Sequence, residues 1–135
     1  SVYGHLKAAV EELASALEAR GQKVSVFDLA RDDMAEAVED AFRYDRLVLA
    51  SITYQGEIFP CMSTFIHTLA EHAYQNRTVA LVESGSWAPA AAKVMTKELE
   101  GMKDITLTQN KVTVLGSLND ASRAQIEALA DELSK

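Results

Sequence analysis

The stretch RLVLASIT, residues 46–53, decides the fold. It is a continuous apolar run, which is typical of a strand covered on both faces in a parallel sheet. A second run of the same kind, TVALVES at residues 78–84, follows it along the chain. Between the two runs, residues 60–74 carry apolar side chains at helical spacing and begin with a proline. This order predicts two parallel strands joined by a helical crossover.

The same alternation extends through the rest of the chain. Further helices are predicted at 5–20, 31–42, 88–102 and 120–133, and further extended segments at 23–29 and 105–116. Asn119 or Asp120 is expected to cap the last helix. The alternation predicts an α/β fold, an open parallel sheet with helices on both faces. Because the chain opens with a helix, we expect the strand that feeds this helix to lie ahead of Ser1, in a longer polypeptide.

The composition describes one acidic globular domain of 135 residues, with 48% hydrophobic and 24% charged residues. The net charge of −7 argues against nucleic acid and anionic membrane surfaces, because both need a basic patch on the protein. A single cysteine, Cys61, excludes an internal disulfide and a thiolate metal cluster, and no apolar run is long enough to span a bilayer. We therefore expect a cytoplasmic protein with no nucleic-acid or membrane partner.

Three loops follow strands of the predicted sheet, where open parallel sheets bind their ligands. In the first, SVYGHL at residues 1–6, Ser1 and backbone N–H groups at a helix N-terminus could hold a phosphate; the alternative is a polar turn that only caps the helix. The second follows residues 46–53 and contains Gly56, which lets a ligand approach the backbone closely. The third contains Trp87, whose flat apolar ring suits stacking on an aromatic ligand, or else covers the end of the sheet.

Other candidate residues point to no further chemistry. His67 and His72 are five residues apart on a predicted helix, so they cannot chelate one metal as an i,i+4 pair could. Cys61 begins a helix without a nearby base, which favours a small buried side chain over a nucleophile.

The three loops, in this order and on this pattern, resemble those of the flavodoxin-like fold that binds flavin mononucleotide (FMN). Residues 50–95, ASITYQGEIFPCMSTFIHTLAEHAYQNRTVALVESGSWAPAAAKVM, are similar to the centre of the flavodoxin domain of A-type flavoproteins, the flavodiiron proteins. The resemblance implies the sheet order 2-1-3-4-5, with strand 1 ahead of Ser1. It also implies one flavodoxin-like FMN-binding domain over residues 1–135.

The resemblance further implies an FMN site with a phosphate loop, a loop beside the flavin ring and a loop whose tryptophan lies on the ring. The implied cofactor-binding residues are Ser1, Val2, Tyr3, Gly4, His5 and Leu6; Thr53, Tyr54, Gln55 and Gly56; and Ser84, Gly85, Ser86, Trp87 and Ala88. No catalytic or metal-binding residue is implied. The family's phosphate loop usually ends in threonine, and Leu6 in its place predicts weaker binding of the phosphate.

The function that the resemblance implies is electron transfer through bound FMN, as a module of a flavodiiron-type oxidoreductase. Any oxygen or nitric oxide reductase chemistry would lie in an upstream diiron domain of the same polypeptide. The implied partner is either that domain or a separate redox protein, and a homodimer is left open. The alternative is a flavodoxin-like interaction domain that has lost its affinity for FMN. A flavin-dependent quinone reductase is more remote, because no nicotinamide site is recognised.

Overall fold

The computed structural model describes residues 2–52, 58, 60–85, 90–115 and 118–135, which form five helices and four strands. The elements are α1 (Val2–Ala19), α2 (Met34–Arg43), β1 (Arg46–Ile52), α3 (Pro60–Glu71), β2 (Arg77–Gly85), α4 (Ala91–Leu99), β3 (Ile105–Leu107), β4 (Val112–Leu115) and α5 (Asp120–Leu133).

Local sequence accounts for where the helices begin. The Asp33 side chain accepts a hydrogen bond from the backbone N–H of Ala35 and caps α2. Asn119 and Ser122 form a reciprocal capping box, so Asn119 is the N-cap of α5. Pro60 starts α3, where its missing N–H removes no helical hydrogen bond.

Several predicted helix boundaries were wrong; α2, for example, begins at Met34 and not at residue 31. The predicted start of α1 at residue 5 is too late, because the backbone is already helical from Val2. α3 ends at Glu71 instead of continuing to residue 74, and the left-handed φ of 59° at Ala73 turns the chain away from the helix. α4 ends at Leu99, short of the predicted 102.

All pairs in the sheet are parallel, as predicted. β2 pairs with β1 along one edge and with both β3 and β4 along the other. β3 pairs with the first half of β2 and β4 with the second half, which confirms the short extension and strand predicted within residues 105–116. The described strands therefore occupy the last three positions of the predicted order 2-1-3-4-5.

Helices cover both faces of the sheet and enclose two apolar clusters. Side chains of α1 and α5 pack on one face, against residues that include Ala80 and Val82 of β2. Side chains of α2, α3 and α4 pack on the other face, against residues that include Val79 and Leu81. Alternation along β2 thus sends successive side chains into opposite clusters, which is why the strand is apolar throughout.

The prediction of a strand at residues 23–29 was wrong. Residues 23–28 carry no regular secondary structure, and Leu29 lies in a turn. In the order 2-1-3-4-5, its only neighbour would be strand 1, and the described residues contain no strand ahead of α1. An extended segment becomes a strand only when another strand accepts and donates its backbone hydrogen bonds.

Candidate functional site

The carboxyl ends of three strands meet at one edge of the sheet. Ile52 of β1 lies opposite Ser84 of β2, and Gly85 lies opposite Leu115 of β4. The segments that follow these strands therefore leave from the same edge, where open parallel sheets bind ligands.

The first turn of α1 lies at this edge as well. Arg20, near the end of α1, binds the carboxylates of Glu127 and Asp131 at 2.6 and 2.8 Å, and Arg123, in the first turn of α5, binds Glu12 at 3.3 Å. These pairs show that α1 and α5 run in the same direction. Since α5 begins shortly after the carboxyl end of β4, α1 also begins at the carboxyl edge.

About half of the predicted FMN-binding residues lie within the described part of the chain. The segment from Val2 to Leu6, predicted as a polar turn, is instead the first part of α1. The Leu6 side chain is buried in the α1–α5 cluster. The predicted residues outside the described part are Ser1, Thr53, Tyr54, Gln55, Gly56, Ser86, Trp87 and Ala88.

Two side chains at this edge have a buried polar atom without a hydrogen-bond partner among the described residues. The Ser84 hydroxyl is fully buried and has no partner among the described residues. Because Ser84 follows Ala80 and Val82 at two-residue spacing, it faces the side of the sheet that α1 covers. The buried Nδ1 of His5, in the first turn of α1, is likewise without a partner there. Buried polar atoms of this kind are uncommon and indicate a place where a polar ligand or water completes the bonding.

Glu83, the residue before Ser84, points to the opposite face and holds the start of α4. Its side chain is almost completely buried, and Oε1 accepts a hydrogen bond from the backbone N–H of Ala92 at 3.1 Å. Oε2 accepts from the Thr113 hydroxyl at 2.9 Å and lies 3.3 Å from the Lys111 ammonium group. The N-cap residue of α4, Ala90, makes no side-chain cap, so the Glu83 carboxylate takes over that role.

This network fixes both ends of the third predicted loop, since residues 86–89 connect β2 to α4. Sequence reasoning missed Glu83, although a signal was present. A buried acidic residue inside the apolar run TVALVES must be hydrogen-bonded or paired with a cation. Its position next to the predicted site could have pointed to Glu83.

Metal binding and membrane insertion find no support in the described residues. No three His, Cys, Asp or Glu side chains within these ranges come together as metal ligands. His67 instead lies 3.6 Å from the Glu98 carboxylate, between α3 and α4. None of the described helices is both long enough and apolar enough to cross a membrane.

Comparison of the sequence with protein-family models and with curated proteins gives no match. The structure, however, is similar to several solved structures. Rubredoxin:oxygen oxidoreductase from Desulfovibrio gigas gives a TM-score of 0.85 at 18% identity, over 96% of this chain and 32% of that one. The flavodiiron protein from Giardia intestinalis gives 0.84 at 12% identity, over 96% and 32%. A flavodoxin from the domain Archaea gives 0.84 at 18% identity, over 99% and 91%.

These similarities define the class: the chain has a flavodoxin-like α/β fold, as its sequence predicted. More particularly, it matches a nearly whole flavodoxin and a flavodoxin-sized part of the flavodiiron proteins, of which it spans about a third of the length.

Proposed function

We propose that this domain binds FMN at the carboxyl edge of its sheet and transfers electrons through it. The observation that carries the proposal is the Ser84 hydroxyl, which is fully buried beside the carboxyl end of the central strand and has no partner among the described residues. His5, in the first turn of α1, adds a second polar atom that has no partner within the described ranges. Both fit a ligand that is polar at one end and enters between α1 and the sheet.

The chain's own residues would hold the cofactor in two parts. The N-terminus of α1, which lies at this edge, carries the positive end of the helix dipole and attracts an anion such as a phosphate. Residues 53–56 and Trp87 are proposed to border the flavin ring, where stacking and exclusion of water favour an aromatic ligand. When bound, FMN supplies the redox chemistry, and the protein supplies position and electrostatics.

The charge of the chain would influence that chemistry. A net charge of −7 disfavours additional negative charge on a bound ligand. We therefore expect a lowered reduction potential for the cofactor. Electron donors and acceptors are proposed to be a separate redox protein or an upstream diiron domain of the same polypeptide, in the cytoplasm.

Titration with FMN and with riboflavin tests the proposal. Ser84→Ala removes the unpartnered hydroxyl and should weaken FMN binding by about ten-fold, because a hydrogen bond to a charged or strongly polar group contributes roughly 1.5 kcal/mol. Ser51→Ala is the matched control. Ser51 is also buried, lies on the neighbouring strand, and its hydroxyl donates a hydrogen bond to the backbone carbonyl of Ile52. The control should bind FMN as the wild type does.

The flavin-free interaction domain remains the second candidate, and one observation favours it. Leu6 places an apolar side chain, buried in the α1–α5 cluster, where the resembled family offers a hydroxyl. A colourless protein that binds neither FMN nor riboflavin at high micromolar concentration would establish this candidate in place of the first. If the protein binds FMN and the Ser84→Ala variant binds it equally well, the proposed function stands but Ser84 is not part of the binding site.

A further inference from the structure

Glu83 is a buried carboxylate at the carboxyl edge of the sheet that does not face the proposed ligand. Its side chain is 3% exposed and points to the face of the sheet that α4 covers. The side chain of the neighbouring Ser84 points to the other face, which α1 covers and where the proposed ligand enters. Glu83 therefore touches no ligand there and can affect the geometry of the site only through other groups of the protein.

The Glu83 carboxylate joins three elements at one point. Oε1 accepts a hydrogen bond from the Ala92 N–H of α4 at 3.1 Å, and Oε2 accepts one from the Thr113 hydroxyl of β4 at 2.9 Å. Thr113 lies opposite Glu83 in the ladder, and its backbone N–H donates to Oε1 of Gln125 in α5 at 2.8 Å. Because β4 is held from both sides, the carboxylate has a fixed base from which to hold α4.

The start of α4 is built from small side chains. Ala90 provides no side-chain cap, and the first turn contains no acidic residue. The side chains of Ala91 and Ala92 are buried beside α2 and α3, but each is a single methyl group and buries much less apolar area than Met95, one turn further on. The hydrogen bond from Ala92 to the charged carboxylate is therefore a strong contact between this turn and the sheet.

The same hydrogen bond closes a short loop of the chain. Residues 86–89 connect β2 to α4, and they lie between Glu83 and Ala92, which are nine positions apart. Closing so short a loop removes many of the conformations that the connecting residues could otherwise adopt. The placement of these residues, which include Trp87, is thus tied to the Glu83 carboxylate.

We propose that Glu83 is a positioning residue of the flavin site: it acts through the backbone of Ala92 and places Trp87 against the flavin ring. This role rests on the proposed function and concerns only the ring end of the ligand. The phosphate end is proposed to lie at α1, which covers the opposite face of the sheet. Loosening the start of α4 should therefore weaken the binding of FMN and of riboflavin by the same factor, because the two ligands share the ring and only FMN carries a phosphate.

Trp87 is the only tryptophan of the chain, so its fluorescence reports on this loop in the absence of flavin. In the flavin-free protein, Glu83→Gln should raise the quenching of Trp87 by acrylamide and lower its anisotropy, because the new amide nitrogen faces Lys111 and the hold on α4 weakens. Lys111→Met is the matched control. It removes the half-exposed cation but keeps both hydrogen bonds of the carboxylate, so its Trp87 should be quenched as in the wild type.

Leu133→Ala controls for a general loss of stability. Leu133 is buried in the α1–α5 cluster near the end of α5, on the face of the sheet opposite to α4. Truncating this side chain destabilises the whole domain but leaves the contacts of Glu83 in place, so the quenching of Trp87 should not change. Equal quenching in Leu133→Ala and Glu83→Gln would overturn the proposal, since lost stability would then explain both.

Titration of the same variants with FMN and with riboflavin completes the test. Glu83→Gln should weaken the binding of both ligands about five-fold, the factor expected from the loss of one aromatic stacking contact, whereas Lys111→Met should bind both as the wild type does. A loss confined to FMN, or no loss with either ligand, would overturn the positioning role while flavin binding by the domain stands. A wild-type protein that binds neither flavin would refute the proposed function and, with it, the flavin role of Glu83; the quenching measured without flavin would show separately whether Glu83 positions residues 86–89.

Discussion

Replacing Glu83 by glutamine should destabilise the domain by about 2 kcal/mol and loosen the start of α4. The substitution keeps the shape of the side chain but removes its charge. Glutamine can still accept the hydrogen bond that the Ala92 N–H donates to Oε1. Its amide nitrogen, however, replaces the acceptor that faces the Lys111 ammonium group, so two donors then meet.

The magnitude follows from the contacts. A hydrogen bond to a charged acceptor contributes roughly 1 kcal/mol more than one to a neutral acceptor, and Glu83 accepts such bonds from Ala92 and Thr113. The Lys111 side chain is half exposed, at 52%, so its ion pair is screened and adds less than about 1 kcal/mol. Removing the charge of Glu83 is therefore expected to lower the free energy of unfolding more than removing the charge of Lys111.

Urea unfolding of the wild type and two variants measures the difference. Glu83→Gln should lower the free energy of unfolding by about 2 kcal/mol at unchanged m-value, whereas Lys111→Met should lower it by less than about 1 kcal/mol. Amide exchange at Ala92 should accelerate in Glu83→Gln only. If the two single variants were equally stable, or if Ala92 kept its protection in Glu83→Gln, the carboxylate would not be the group that holds α4, and the reasoning would be refuted.

Four further predictions concern the site and the dependence of stability on pH. Trp87→Ala should weaken FMN binding several-fold, from a loss of about 1 kcal/mol of stacking, without unfolding the domain; unchanged affinity and unchanged flavin fluorescence would contradict this. Leu6→Thr should strengthen the binding of FMN by about ten-fold and that of riboflavin little, because only FMN carries a phosphate; equal gains in the two titrations would show that α1 does not hold it. Burial opposes ionisation of Glu132, but hydrogen bonds from two backbone N–H groups and a side-chain amide outweigh burial and lower its pKa. The stability that this carboxylate contributes above pH 4.5 should therefore be lost as the pH falls below that value. Unfolding measured from about pH 5 to 3 should show a less steep loss of stability in Glu132→Gln than in the wild type. Burial raises the pKa of Tyr74 to about 12, so the stability that its neutral phenol contributes is complete below pH 10 and is lost as the pH rises from 10 to 12. Tyr74→Phe should make the unfolding free energy less dependent on pH in that range. It should change stability little at about pH 7, since the hydroxyl has no partner among the described residues.

The sequence predicted the parts of the fold that depend on local pattern. The apolar runs at 46–53 and 78–84 became β1 and β2, because a strand covered by helices on both faces cannot carry alternating polar residues. Asn119 could be placed at the start of α5 to within one residue, since capping needs only a side chain and a nearby N–H group.

The prediction at residues 23–29 was wrong because pairing is not local. The segment has the composition of a strand, and Val24 and Phe27 pack against opposite layers. Whether it forms a ladder depends on a neighbouring strand and not on its own sequence. The role of Glu83 escaped prediction for a related reason: its partners Ala92 and Thr113 are 9 and 30 residues away, and only the parallel register brings them to one carboxylate.

Leu6 occupies the position in α1 where the resembled family has a threonine. Its side chain is 7% exposed and lies in the α1–α5 cluster. A leucine buried in this way contributes roughly 1.5–3 kcal/mol to packing, whereas a threonine hydroxyl would have to leave the cluster to reach a ligand. Packing of α1 on the sheet and binding of a phosphate therefore compete for one position. In this chain leucine stabilises the packing, and the proposed phosphate site depends on backbone N–H groups of α1 and on side chains such as Ser84 and His5.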